Sequence, residues 1–205
     1  MRADTESRNL HHSSDWKLDP VFGKLMKKWG LYMCTVDLFG AQHNTQLPRF
    51  YSFHPDPEAE AFDALAQGWK GENPYAFPPF ILIGRFLQKL KQDRVKKAIL
   101  IAPVWPYQVW YPQLMDCLID FPLMLQSNRP LLMNPVGQPH SIIMQGCLHL
   151  AVFRVSGLDT EKFWMKLSKS LPQHGEKGQK SHTPPPGRSG WSGAPNAKQM
   201  PFLPL

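Results

Sequence analysis

Tyr75-Ala76-Phe77-Pro78-Pro79-Phe80, followed at once by Ile81-Leu82-Ile83-Gly84-Arg85-Phe86-Leu87-Gln88-Lys89-Leu90, is where the chain changes its period. The first part is an apolar run that stops at two prolines. The second repeats apolar residues at Ile83, Phe86, Leu87 and Leu90, the spacing of one helical face. Proline fixes φ and has no N–H for a sheet ladder, so a strand ends here and a helix starts just beyond. A Pro-Pro pair makes a stiff loop at the carboxyl end of that strand, where open α/β sheets hold ligands.

Working outward, Ala98-Ile99-Leu100-Ile101-Ala102-Pro103 reads as a buried strand stopped by Pro103 and Pro106. The aromatic residues Trp105, Tyr107, Trp110 and Tyr111 follow it, then a short helix from about Pro112 to Ile119. Later strands are expected at Pro122–Leu125 and Leu148–Val155. On the amino side, Asp15 is placed to cap a helix over Pro20–Trp29 that Gly30 ends. The apolar run Leu31–Gly40 suggests a buried strand with Asp37 near its carboxyl end, where the acid can equally cap the following turn, and Arg49–Phe53 a shorter one. Asp56 as N-cap, Pro57 behind it and acids in the first turn predict a helix over 58–67, stopped by Gly68. Strand and helix in alternation imply an α/β domain with a doubly wound, mainly parallel sheet. The domain is expected over 15–170, after a disordered lead-in at 1–14 and before a flexible Pro/Gly/Ser/Lys-rich segment at 171–205.

Hydrophobic residues make up 42% of the 205, enough for a real core. Cys34, Cys117 and Cys147 lie far apart among apolar neighbours and form no pair at zinc-ligand spacing, so no metal site is expected. No signal-peptide pattern opens the sequence, and its apolar stretches fall short of the ~18–20 residues that span a bilayer. An intracellular protein without a membrane partner is expected. The net charge of +7 and pI near 9.4 suit a phosphate-bearing partner, DNA or RNA, or equally a basic tail on a near-neutral domain. Arg85, Lys89, Arg94, Lys96 and Lys97, on and beyond the helix after Phe80, are the candidate contacts. The same cations also suit a helix carboxyl terminus, where they oppose the macrodipole, so a purely structural role stays open.

Asp37 and the Phe77–Phe80 loop end two strands expected to be parallel and so should converge on one crevice. Aromatic rings there could stack on a nucleobase, or Phe77 and Phe80 could simply plug the core beneath the prolines. Val36-Asp37-Leu38-Phe39-Gly40, Asn44, Trp69, Pro78-Pro79-Phe80, Ile99–Pro103 and Trp110 together resemble the phage-type adenine-specific DNA methyltransferases. The resemblance implies a cofactor-lining turn at Asp37, Phe39 and Gly40 for S-adenosylmethionine. It implies a base-holding turn at Phe77, Pro78, Pro79 and Phe80, as in the family's (Asn/Asp)-Pro-Pro-Tyr motif. The base must be flipped out, because its amino group cannot be reached inside a duplex. Here Phe77 stands in the place of the acceptor that orients the amino nitrogen, and Phe80 in that of the tyrosine. A phenyl ring accepts no hydrogen bond of that kind, so no catalytic residue is assigned and no cofactor is expected. S-adenosylmethionine belongs to the alternative, an active methyltransferase with an altered loop.

A second resemblance runs through nearly the whole chain. Ala3-Asp4 with Ser7-Arg8, Asp15-Trp16 with Leu18, Pro20 and Phe22, Val36–Phe39, Leu47–Phe50, Asp56-Pro57 with Ala59, and Phe62–Ala64 carry its first half. Trp69, Tyr75–Phe80, Gln92-Asp93 and Pro103-x-Trp105-Pro106-x-Gln108-x-Trp110 carry its second. Their order and spacing resemble the polyproteins of DIRS-type retrotransposons, where such a region lies between reverse transcriptase–RNase H and a tyrosine recombinase. The resemblance implies that Asp4 matches the last metal-binding carboxylate of RNase H, without the partners that two-metal hydrolysis needs. It implies a methyltransferase-like module without catalysis that assists nucleic-acid handling or packs against those neighbouring domains. A decayed fragment with no role is the remaining alternative.

Overall fold

The structure is a computed structural model that describes residues 16–18, 31–125, 131–134, 137–139 and 148–160. The lead-in containing Asp4, the helix expected at 20–29 with its cap Asp15, and the segment 171–205 lie outside these residues.

Nine strands occur among the described residues: β1 (Lys17–Leu18), β2 (Val36–Asp37), β3 (Tyr51–Ser52), β4 (Ala61–Phe62), β5 (Pro74–Ala76), β6 (Ala98–Pro103), β7 (Leu123–Met124), β8 (Leu132–Met133) and β9 (Leu150–Val155). The helices among the described residues are α1 (Ile83–Gln92) and α2 (Tyr111–Asp116), with single 3-10 turns at Leu31–Met33, Ala64–Ala66 and Phe80–Leu82. The main sheet runs β2-β5-β6-β9-β7. β2, β5 and β6 are parallel, with Asp37 opposite Tyr75 and Tyr75 opposite Ile99. β9 is antiparallel to β6 along its whole length, and β7 is antiparallel to β9. On the other side of β2, a parallel bridge from Asp37 to Phe50 leads to the parallel pair β3–β4. Two bonds tie that junction: Asp37 N–H donates to Arg49 O (2.9 Å) and Gly40 N–H to Tyr51 O (3.2 Å). The continuous order is therefore β4-β3-β2-β5-β6-β9-β7.

The α/β class is as the sequence indicated, but the sheet is mixed rather than mainly parallel. Leu148–Val155 carries the apolar, β-branched content of a buried strand. That content suits either direction, because burial on both faces, not polarity of the chain, sets it. Double winding is not what the described residues show either. Both helices lie on one face, over Val36, Leu38, Ala76, Ala98, Leu100 and Ala102. The opposite face, with Tyr75, Ile99, Ile101, Leu150 and Val152, is covered by Leu18, Leu131 and Leu132 of the antiparallel pair β1–β8 and its approach. Along β6 the residues alternate between these two cores, as the period of two requires.

The α1 stripe is buried as its spacing predicts: Ile83, Phe86, Leu87 and Leu90 are fully enclosed. The helix expected at 58–67 does not form. Asp56 does bind the N–H of Glu58 (2.9 Å), but only to close a turn. The chain then pairs with β3, Glu60 N–H reaching Phe50 O (3.0 Å) and Asp63 N–H reaching Ser52 O (2.9 Å). Arg49 reinforces that pairing by donating from Nε and Nη2 to the two carboxylate oxygens of Glu60, at 2.6 and 2.8 Å. Asp63 sits at φ 50, in the left-handed region, which a helix interior excludes. Tertiary pairing here overrides a good local helix start. The long strand read at Leu31–Gly40 contracts to β2, preceded by a 3-10 turn that leaves Tyr32 and Met33 exposed.

Candidate functional site

From β2 the chain moves outward to β3 and β4, then crosses back to place β5 on the other side of β2. The direction of winding reverses between β2 and β5. Open α/β sheets bind ligands at such a reversal, outside the carboxyl ends of the strands, because the two crossovers leave in opposite directions and open a crevice. A cleft of about 310 Å³ lies there, and Asp37, Phe39, Phe77, Pro78, Pro79 and Phe80 all line it. The two turns singled out in the sequence are thus brought together. Gly40 lies just behind: a Cβ on it would come within 3.0 Å of the Phe50 Cβ and 3.1 Å of the Thr45 Cβ. It serves close packing of the turn rather than the cleft surface.

Asp37 is almost wholly buried, at 2% exposure. Its Oδ1 accepts the N–H of Phe39 (3.2 Å) and its Oδ2 accepts the N–H of Gln46 (3.0 Å) and the hydroxyl of Thr45 (3.4 Å). Burial pushes its pKa up to about 6, against the opposing pull of those donors. The carboxylate therefore fastens segment 41–47 over the end of β2. In that segment Ala41 N–H donates to Asn44 Oδ1 (2.7 Å) and Gln46 Nε2 donates to Asn44 O (3.1 Å). Asn44 and Gln46 also face the cleft, with Trp16, Leu18, Tyr75 and Leu132. Gln46, Trp16 and Leu132 carry no site signal in the sequence, since the fold alone brings them in. The polar run Gln42–Gln46 after a strand end was the available hint.

Beyond β5 the rings form a chain: Phe77 to Phe80 at 6.5 Å between centroids, then Phe80 edge-on to Trp105 at 5.2 Å. Trp105 belongs to the loop after β6, so both carboxyl-end loops meet at Phe80. Each of these rings is partly open: they pack on one another, and Phe77 and Phe80 also line the cleft.

The cations are not one patch. Arg85 is exposed in the first turn of α1, near the cleft end. Lys89 is bound into the structure, 3.0 Å from Asp93 and 5.2 Å above the Trp69 ring. Arg94, Lys96 and Lys97 lie past the carboxyl end of α1, a helix of ~15 Å, and so at the far end of the sheet. There Lys97, Cys34, Asn73, Asp120 and Arg154 border a second cavity of about 370 Å³. Burial pushes the Cys34 thiol up to about 12, which keeps it from acting as a thiolate. Among the described residues no cluster of His, Cys, Asp and Glu has the makings of a metal site, and no helix is long and apolar enough to cross a membrane.

Compared with known proteins, the chain matches no family model and no curated protein.

Proposed function

We propose that this chain is a methyltransferase-like module of a DIRS-type retroelement polyprotein that holds an unpaired nucleobase and does not transfer methyl groups. The observation that carries the proposal is the cleft at the β2/β5 reversal, walled by the Asp37–Phe39 turn on one side and Phe77–Phe80 on the other. Those are the two turns that the resemblance to adenine methyltransferases assigns to cofactor and base. The base side retains stiffness and aromatic surface, and stacking on a ring contributes ~1–3 kcal/mol per base.

The chemistry of transfer is what the residues lack. An acceptor in the place of Phe77 would orient the amino lone pair toward the methyl group, and loss of one such positioned polar group typically lowers turnover ~100–1,000-fold. Among the described residues that line the cleft, the one carboxylate is Asp37, and both of its oxygens already accept protein hydrogen bonds. A base in the cleft would find aromatic surface and the amides of Asn44 and Gln46, but a phenyl ring in the place of the family's acceptor.

The second reading, an active adenine methyltransferase, draws on Asp37 and Phe39 lining the same cleft at the family's cofactor turn. Titration calorimetry with S-adenosylmethionine, alongside transfer of its labelled methyl group to adenine-containing DNA, separates the two. The proposal expects neither micromolar binding nor transfer, and both together would establish the methyltransferase. Reverse transcriptase and recombinase sequences flanking the chain in its genome would support the retroelement setting.

A further inference from the structure

We infer that the rim formed by the loops after β5 and β6 is a docking surface for single-stranded nucleic acid, with Tyr107 as its stacking residue. The inference rests on the nucleobase reading of the cleft and extends it to residues which that reading does not use.

Tyr107 is fully exposed, Ile81 is 89% exposed and Val109 88% exposed. Large apolar side chains this open, gathered on two adjoining loops, mark a contact surface rather than ordinary surface scatter. The loops adjoin through Phe80 and Trp105, whose rings meet edge-on at 5.2 Å. A second junction lies one residue from Arg85, where a Cβ on Gly84 would sit 3.7 Å from the Trp110 Cβ. The backbone holds Tyr107 outward. Gln108 N–H donates to Trp105 O (3.1 Å), which closes a turn with Pro106 and Tyr107 as its two central residues. Pro106 presets φ at the first of them, and Tyr111 N–H donates to Gln108 O (2.9 Å) just beyond. A ring fixed at a turn tip loses little conformational freedom when a base stacks on it.

Charge selects the occupant. From Phe77 through Gln92 and from Pro103 through Met115 there is no acid. The charged residues in those two stretches are Arg85, Lys89 and Lys91. Lys89 is bound to Asp93 and Lys91 stands in the last turn of α1, so exposed Arg85 in the first turn is the cation beside the rim. An aromatic tip, an apolar ledge and a cation, all without opposing acids, suit a strand that offers bases to the ring and phosphate to the guanidinium. Continuity with the cleft through Phe80 would let one base enter while its neighbour stacks on Tyr107.

The test is fluorescence anisotropy with the full chain and a labelled single-stranded oligonucleotide of about a dozen nucleotides, across a salt series. Tyr107→Ala should raise Kd about tenfold and leave the salt slope unchanged, as loss of one base stack does. Tyr107→Phe should restore most of the affinity. Arg85→Ala should lower the magnitude of the salt slope by about 0.7, the signature of one phosphate contact on a single strand. Tyr107→Ala with wild-type affinity, while Phe77→Ala weakens binding, would overturn the rim and leave the cleft reading standing. No binding by the wild-type chain would overturn both. Self-association that Tyr107→Ala abolishes, without oligonucleotide binding, would assign the rim to a protein contact instead.

Discussion

Replacing Asp37 with asparagine isolates the group on which the cleft's architecture turns. The folded carboxyl has a pKa of about 6 against an ordinary 3.8, and burial is the leading cause. For an acid raised in this way, the folded chain keeps a proton that the unfolded chain has released between those two values. The contribution of Asp37 to stability is therefore greatest below the unfolded pKa, falls as pH rises through the window, and is flat above about 6. The span of about two pH units at ~1.4 kcal/mol each amounts to about 3 kcal/mol. The asparagine side chain bears no charge and should remove that slope. It also places an amide N–H₂ where one carboxylate oxygen meets the N–H of Phe39 or Gln46, a pH-independent cost of ~1–3 kcal/mol. The readout is thus the difference between the two proteins, from denaturant midpoints at several pH values between about 3 and 7. Glu60 and Glu72, held below the ordinary range by hydrogen bonds to Arg49, lose their contribution as pH falls. They do so in both proteins and cancel. Relative to wild type, Asp37→Asn should gain about 3 kcal/mol on going from the acid to the neutral end. A difference curve that stays flat would refute burial as the dominant influence on the Asp37 carboxyl.

Gly157→Ala should destabilise the fold by ~2–3 kcal/mol in chemical denaturation, because its Cβ would fall 1.9 Å from Leu90 O and 2.6 Å from Leu90 C, backbone atoms that no rotamer change can move. Gly68→Ala, with nothing within 4 Å of its Cβ, is the control and should stay within about 0.5 kcal/mol. Trp69→Phe should cost ~2–4 kcal/mol: the indole is fully buried against Phe86, and its N–H donates to Ala64 O at 2.8 Å, which would be left without that donor. Neutralising Arg94, Lys96 and Lys97 together should leave binding of a short oligonucleotide unchanged, since these residues stand at the end of the sheet remote from the cleft; a reduced salt slope in anisotropy would place the strand along α1 instead.

What could be read before the fold was known had a period or a stop signal. The α1 face was legible because Ile83, Phe86, Leu87 and Leu90 repeat at helical spacing, and β5 and β6 because prolines end them. The meeting of the Asp37 and Phe77–Phe80 turns followed from two neighbouring strands pointing the same way. The direction of β9 left no trace, because an apolar strand reads alike in either sense. Segment 56–67 has the cap and the acids of a helix, yet hydrogen bonds to β3 and the left-handed Asp63 decide otherwise. An acid that caps the turn after β2 could be read at Asp37, but the closure of all of 41–47 could not, since its donors are mostly backbone N–H groups, which have no sequence signature. The candidate cations stand at both ends of the sheet, because α1 runs from Arg85 near the cleft toward Arg94, Lys96 and Lys97 beyond its carboxyl end.

Occupancy of the cleft can be read directly by photochemical cross-linking of a single-stranded oligonucleotide containing 5-iodouridine, with the attached residue located by mass spectrometry. A base held at the β2/β5 reversal predicts attachment at Phe77 or Phe80, lost when Phe77→Ala and Phe80→Ala are combined. Attachment confined to the far end of the sheet, or unaffected by those changes, would contradict a nucleobase site in the cleft.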